Sequence, residues 1–196
     1  MSDTSSKKLP KAQRRDQLLD TAMAIVREEG TDALTLGHLA ERAGVSKPIP
    51  YEHFKTRPGL LMALYERIDG QQLAALTEAL SRTRRKLEDV AKVLSAAYMR
   101  CYANMGPELH AVSAALKGDE EMEAFYQRVL DGYVAFYQET LAPFCDLPRD
   151  TLRQRCVGII GAAEAISREM LRGEVPETTA AATLSSLIVA WLSSRK

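Results

Sequence analysis

The chain has 196 residues, 46% hydrophobic and 27% charged, with 26 basic and 26 acidic groups and a formal net charge of zero. That length supports one domain or two small ones around a real core. The charge balance excludes a protein that coats a polyanion over its whole surface, although a local patch can still bind one. No apolar run approaches the roughly 18 residues of a membrane span, and the start, "MSDTSSKKLPKAQRRDQ", lacks the apolar segment of a secretory signal. Three cysteines (Cys101, Cys145, Cys156), odd in number and unevenly spaced, suit reduced thiols, so a cytoplasmic location is expected.

The helical period dominates and no alternating strand stands out, so the expected class is all-α with about nine helices. Residues 1–9 form a flexible basic tail. Within the first fifteen residues Lys7, Lys8, Lys11, Arg14 and Arg15 stand against Asp3 alone. Leu18, Leu19, Ala22, Ile25 and Val26 give one apolar face to a first helix over 10–29, stopped by Gly30. Thr35 caps a short second helix, with Leu36, Leu39 and Ala40 inward and Gly44 as its stop. In "GVSKPIPYEHFKTRPGLL", Ser46 is placed to cap a third helix and Pro48 falls in its first turn, where its missing N–H costs little. Pro50 is different. As the fourth helical residue it cannot donate to Ser46, and it pushes Ile49 away from the α region. The third helix should therefore start late or open as a 3₁₀ turn.

Thr56 caps the next helix, with Pro58 in its first turn and an apolar series from Leu60 to Leu80. The basic link "SRTRRK" leads to a helix over 86–104. Pro107 starts a short helix that ends at Gly118. A long aromatic helix closes at Pro143, another runs from Pro148 to Gly173, and the chain ends in a last helix through Leu184, Leu187, Ile188 and Trp191.

The second and third helices, joined by "AERAGVS", form a helix-turn-helix signal. The turn needs a residue tolerant of positive φ (Gly44), an apolar plug (Val45) and small residues for close approach (Ala40, Ala43). "TLGHLAERAGVSKPIPYEHFKTRPGLLMALYE" resembles the DNA-binding domain of the TetR family of transcriptional repressors, with the motif covering roughly residues 14–66. The resemblance implies a homodimer that binds a palindromic double-stranded DNA operator and lets go when a small-molecule effector enters the C-terminal part. It implies this division: 10–56 the DNA-binding domain (helix-turn-helix about 35–54), 57–83 a connecting helix, and 84–196 the ligand-binding and dimerisation domain.

On that resemblance Lys47, Pro48, Ile49, Glu52 and His53 lie on the helix entering the major groove. Tyr51 offers its hydroxyl to a phosphate, Lys55 and Arg57 neutralise neighbouring phosphates, and Thr35 adds a phosphate hydrogen bond. Glu52 is awkward beside phosphates unless it accepts from cytosine N4. Gly37 removes one polar contact. Phe54 and Leu39 read as core.

Aromatic and soft side chains gather in the middle helices. If a pocket exists, Tyr98, Tyr102, Met105, His110, Phe125, Tyr133, Phe136 and Tyr137 are its expected lining, with phenols and His110 orienting a mostly apolar ligand. Val157 and Ile160, among small residues such as Gly158 and Gly161, and Leu184, Leu187, Ile188 and Trp191 suit a four-helix dimer interface. The alternative is that these helices pack only within one chain. No cofactor or metal is expected: His38, His53 and His110 are scattered, and there is no Glu-x-x-His pair or glycine-rich phosphate loop. An enzyme is accordingly disfavoured. A helical ligand-binding or interaction protein with an impaired DNA head, Pro50 and Glu52 being the symptoms, is the remaining alternative.

Overall fold

The computed structural model describes residues 9–115 and 120–193, with side chains at 104–111 and 113–115 left out of the description. Among the described residues there is no strand. The helices are α1 (Lys11–Glu29), α2 (Leu36–Arg42), α3 (Pro48–Phe54), α4 (Arg57–Ser81), α5 (Leu87–Ala115), α6 (Glu120–Leu141), α7 (Arg149–Leu171) and α8 (Glu177–Leu192), with a 3₁₀ turn at Ala142–Phe144. Among the described residues eight α-helices stand, close to the nine or so expected, because the segments at 86–104 and after Pro107 form a single helix of 29 residues. Pro107 withholds one backbone N–H, at a cost of roughly 3 kcal/mol for an interior proline. The buried side chains of α5 on both sides of it, Met99 and Val112, offset that cost. The expected stop at Gly118 lies outside the described residues.

Local chemistry sets the helix ends at the N-terminal side. The Thr35 hydroxyl accepts from the His38 N–H at 3.1 Å and caps α2. At its other end Val45 N–H donates to the Ala40 carbonyl (3.0 Å) and Gly44 N–H to the Glu41 carbonyl (3.1 Å), with Gly44 at φ 65°. That paired closure turns the chain sharply from α2 towards α3 and requires the left-handed residue.

Two apolar clusters fill the molecule. The first joins Leu18, Ala22 and Ile25 of α1, Leu39 of α2, Phe54 of α3 and Leu60, Leu61 and Leu64 of α4, with Phe125 and Tyr126 of α6 behind them. The second joins Leu76 of α4 to Leu94, Tyr137, Cys156, Ile159, Leu184 and Ile188. α4 contributes to both, and α8 packs chiefly against α5 and α7. Each leucine side chain buried this way contributes about 1.5–3 kcal/mol. No helix among the described residues is long and apolar enough to cross a membrane.

Candidate DNA-reading head and effector pocket

The third helix opens as Pro50 dictates. The Ser46 carbonyl, denied an N–H four residues on, accepts from Ile49 at 3.0 Å in an i→i−3 bond, and α-helix begins at Pro48. No side chain caps it: Lys47, already in the α region, takes the N-cap position expected of Ser46. From Pro48 to Phe54 the helix is regular, and Pro50 is buried on its inner side. Lys47, Pro48, Tyr51 and Glu52 face outward, Tyr51 with 51% of its surface exposed. Ile49 is half-buried and packed against the first cluster, so its contact is with the core.

At the C-terminal end of α3, Lys55 holds a positive φ of 66° and donates its N–H to the Tyr51 carbonyl at 3.0 Å. A lysine in this conformation is strained, and the packing around it must hold it there. Gly59 explains part of that packing. A Cβ at Gly59 would lie 2.2 Å from the Phe54 carbonyl oxygen, so the first turn of α4 abuts the last turn of α3 as only glycine allows. The Thr56 hydroxyl caps this turn, accepting from Gly59 N–H at 3.1 Å.

Arg57 departs from its expected place at the phosphates. Its Nε donates to the Leu34 carbonyl at 2.9 Å and its Nη2 to the Thr31 carbonyl at 2.8 Å, which commits the guanidinium to the loop between α1 and α2. The start of α1 supplies a basic group instead. Arg15 lies over the Phe54 ring, 5.4 Å from its centroid. Burial first, then the charges of Lys11 and Arg15, push the His53 imidazole below its ordinary value. The reading from sequence placed Lys11, Arg14 and Arg15 in a basic run at the chain's start; the structure brings them to the edge of α3. Thr35 is exposed, and its hydroxyl is occupied by the α2 cap.

Between α4, α5, α6 and α7 lies a small, partly open cavity of about 70 Å³. Of the residues named from the sequence, Tyr98, Tyr102, Tyr133 and Tyr137 line it. Phe125 does not: it is buried in the first cluster with its ring edge-on to Tyr65, centroids 6.1 Å apart. Phe136 is half-buried against the second cluster beside Tyr137, also away from the cavity. The side chains of Met105 and His110 lie outside the described residues. The lining that sequence reasoning missed comes mainly from α4: Tyr65, Ile68, Asp69, Gln72 and Leu76, with Cys101 of α5 opposite; Tyr126 of α6, one of the aromatics of the middle helices, also lines the cavity. Their spacing of three and four residues along α4 was the available signal.

Tyr98 donates to the Tyr102 hydroxyl at 3.4 Å with the rings stacked 5.0 Å apart. Burial raises the pKa of every one of these phenols and of the Cys101 thiol, the last to about 11, so all stay protonated. Burial also raises the Asp69 carboxyl, and a hydrogen bond from the Tyr133 hydroxyl works against that rise.

The expected dimer set divides. Leu184 and Ile188 are fully buried and Ile160 nearly so, all in the second cluster of their own chain, because α8 packs against α5. Leu187 is half-buried against the same cluster. Val157 (48% exposed) and Trp191 (41% exposed) do face out. The exposed residues of α7 and α8 include the small groups Gly161, Ala165, Ala182 and Ser186, together with Arg153, Gln154, Arg168 and Thr183. The Trp191 ring lies over Gly158, where a Cβ would come within 2.6 Å of it.

Residues 18–64 match the model of a family described as bacterial regulatory proteins, tetR family. The HTH-type transcriptional activator FasR of Mycolicibacterium smegmatis is 36% identical over 76 residues, which are 39% of this chain and 35% of that protein. The matches take in between about a quarter and a half of the length of the curated relatives. The crystal structure of a TetR-like transcriptional regulator from Rhodococcus sp. RHA1 superposes with a TM-score of 0.69 at 19% identity, covering 96% of this chain and 100% of that one. The transcriptional regulator FadR from Bacillus subtilis, solved in complex with stearoyl-CoA, superposes with a TM-score of 0.72 at 17% identity, covering 92% and 99%. The matched head and the turn at Gly44 agree: residues 18–64 are a segment of the tetR family of bacterial regulatory proteins, set in an all-helical fold that the superposed structures share.

Proposed function

We propose that the chain is a ligand-responsive transcriptional repressor that binds a palindromic operator as a homodimer and is released by a small-molecule effector. The observation that carries this reading is the double duty of α4. Its first turn abuts the reading helix at Gly59, and further along Asp69, Gln72 and Leu76 line the cavity. In this reading 10–56 is the DNA-binding head, 57–83 the connecting helix, and 84–196 the effector-binding and dimerising part. Lys47, Pro48 and Glu52 meet the major groove, with Tyr51, Lys55 and the basic start of α1 at the phosphates. The exposed small-residue face of α7 and α8 takes the same face of a second chain.

The mechanism follows from geometry. Half-sites in successive major grooves lie roughly 34 Å apart, so the two heads of a dimer must match that separation. A ligand that favours a shifted position of α4 moves the heads out of register, by as much as it prefers that state. Selection of bound genomic fragments by the purified protein tests this reading. It predicts recovery of one inverted repeat; recovery of unrelated fragments at equal yield would contradict it.

A further inference from the structure

The cavity lining is unbalanced in charge. Six tyrosines, Tyr65, Tyr98, Tyr102, Tyr126, Tyr133 and Tyr137, surround one carboxyl, Asp69, and among the described lining residues there is no lysine, arginine or histidine. Asp69 is half-buried, and a carboxylate partly removed from water is favoured by a compensating charge or by hydrogen bonds. The fold supplies the Tyr133 hydroxyl. Arg168 of α7 acts on Tyr102 and Tyr126 from a distance, but it pairs with Glu164 at 3.7 Å and is more than half exposed. Phenol rings present electron-rich faces, which attract cations and disfavour anions.

We propose that the effector is an organic cation, an amine or quaternary ammonium with an aromatic or branched apolar body, its charge paired to Asp69 and its body held among the tyrosine faces. This rests on the reading of the cavity as an effector site, and names the chemistry of its ligand. The cation supplies what the lining lacks, and it makes the cost of keeping Asp69 ionised fall when the site is filled. An anionic ligand would meet the Asp69 charge inside a medium that screens it poorly. A neutral ligand would leave the carboxylate without a counter-charge.

The test is calorimetric titration of the full chain with three probes of similar shape and different charge: benzyltrimethylammonium, benzyl methyl sulfone and benzylsulfonate. Benzyltrimethylammonium should bind at least about tenfold more tightly than the other two. Asp69→Asn should weaken its binding by about tenfold or more, whereas Glu66→Gln, an exposed change of equal charge, should leave it unaltered. The ranking on the unaltered chain stands without any variant, so a poorly folding Asp69→Asn does not decide the matter. Equal or tighter binding of the sulfone or the sulfonate overturns the cationic assignment and leaves the effector site standing. So does an unchanged affinity in a folded Asp69→Asn. Absence of binding by all three probes overturns both.

Discussion

Arg67 and Asp69 are near neighbours on α4 that face different parts of the molecule. Arg67 reaches to α1, donating to the Asp16 carbonyl at 2.9 Å and pairing with Asp20, while Asp69 faces the tyrosine-lined cavity. One short piece of helix therefore touches both the head and the pocket. Arg67→Ala should lower stability by about 1 kcal/mol, because Asp20 is largely exposed, which weakens the pair, and one hydrogen bond from a charged donor is lost. It should also loosen α1, and with it the basic groups beside α3, and weaken operator binding several-fold. Urea unfolding read alongside operator titration checks both; unchanged operator affinity would show that this clamp does not hold the head.

Pro50 is buried, so its ring supplies packing as well as a missing N–H. Pro50→Ala restores a donor to the Ser46 carbonyl but removes buried methylenes and frees the unfolded chain. The losses should win, with a net destabilisation of about 1–2 kcal/mol. Denaturant unfolding measures it. A stabilised variant would mean that the proline is strain and not packing.

Gly59→Ala places a methyl group 2.2 Å from a backbone oxygen of Phe54, which cannot swing aside like a side chain. Overpacking of this kind costs about 1–3 kcal/mol and must part the end of α3 from the start of α4. Operator affinity should drop more than stability alone explains. Thermal unfolding and DNA titration on the same preparation separate the two effects.

His53 contributes to the pH dependence of stability. Its folded pKa lies below the ordinary 6.5, through burial first and then Lys11 and Arg15. Between the two values the unfolded chain binds more protons, so this contribution is present above about pH 6.5 and is lost as pH falls through the lower, folded value. His53→Gln should flatten that part of the stability profile. Urea midpoints at a series of pH values from 7.5 to about 5.5, compared with the parent chain, test the sign.

Gly161 separates fold from assembly. It is exposed and a Cβ there would meet nothing within 4 Å, so Gly161→Glu should leave the single chain intact, with a helix gain of up to about 1 kcal/mol. If the small-residue face of α7 and α8 meets its copy, the same change buries like charges across the interface and splits the dimer. Sedimentation velocity should show a monomer for the variant and a dimer for the parent. A dimeric variant would move the interface elsewhere.

What the sequence made legible was local. Thr35 and Gly44 act through bonds within their own turn, Pro50 alters the bond four residues behind it, and each could be read from its neighbours. The positions that differed depend on distant partners. Arg57 was given to phosphate because nothing nearby in sequence reveals the carbonyls of Thr31 and Leu34 that bind it. Leu184 and Ile188 formed a correct apolar stripe, but periodicity does not say whether α5 or a second chain covers it. Asp69 sat unnoticed in an amphipathic helix, and only the meeting of α4 with α5 and α6 sets it, alone of the carboxyls among the described lining residues, beside six tyrosines. Pro107 looked like a helix start because local chemistry favours one, and tertiary packing carried α5 through it.

The central claim is that this head reads DNA in pairs. The most direct measurement is titration of a fragment recovered by selection, against a scrambled fragment of equal length, with the stoichiometry determined at each salt concentration. The account predicts two chains per inverted repeat, at least about a thousandfold preference over the scrambled fragment, and affinity falling steeply between about 50 and 200 mM salt. Equal affinity for both fragments, or one chain per repeat, would contradict it.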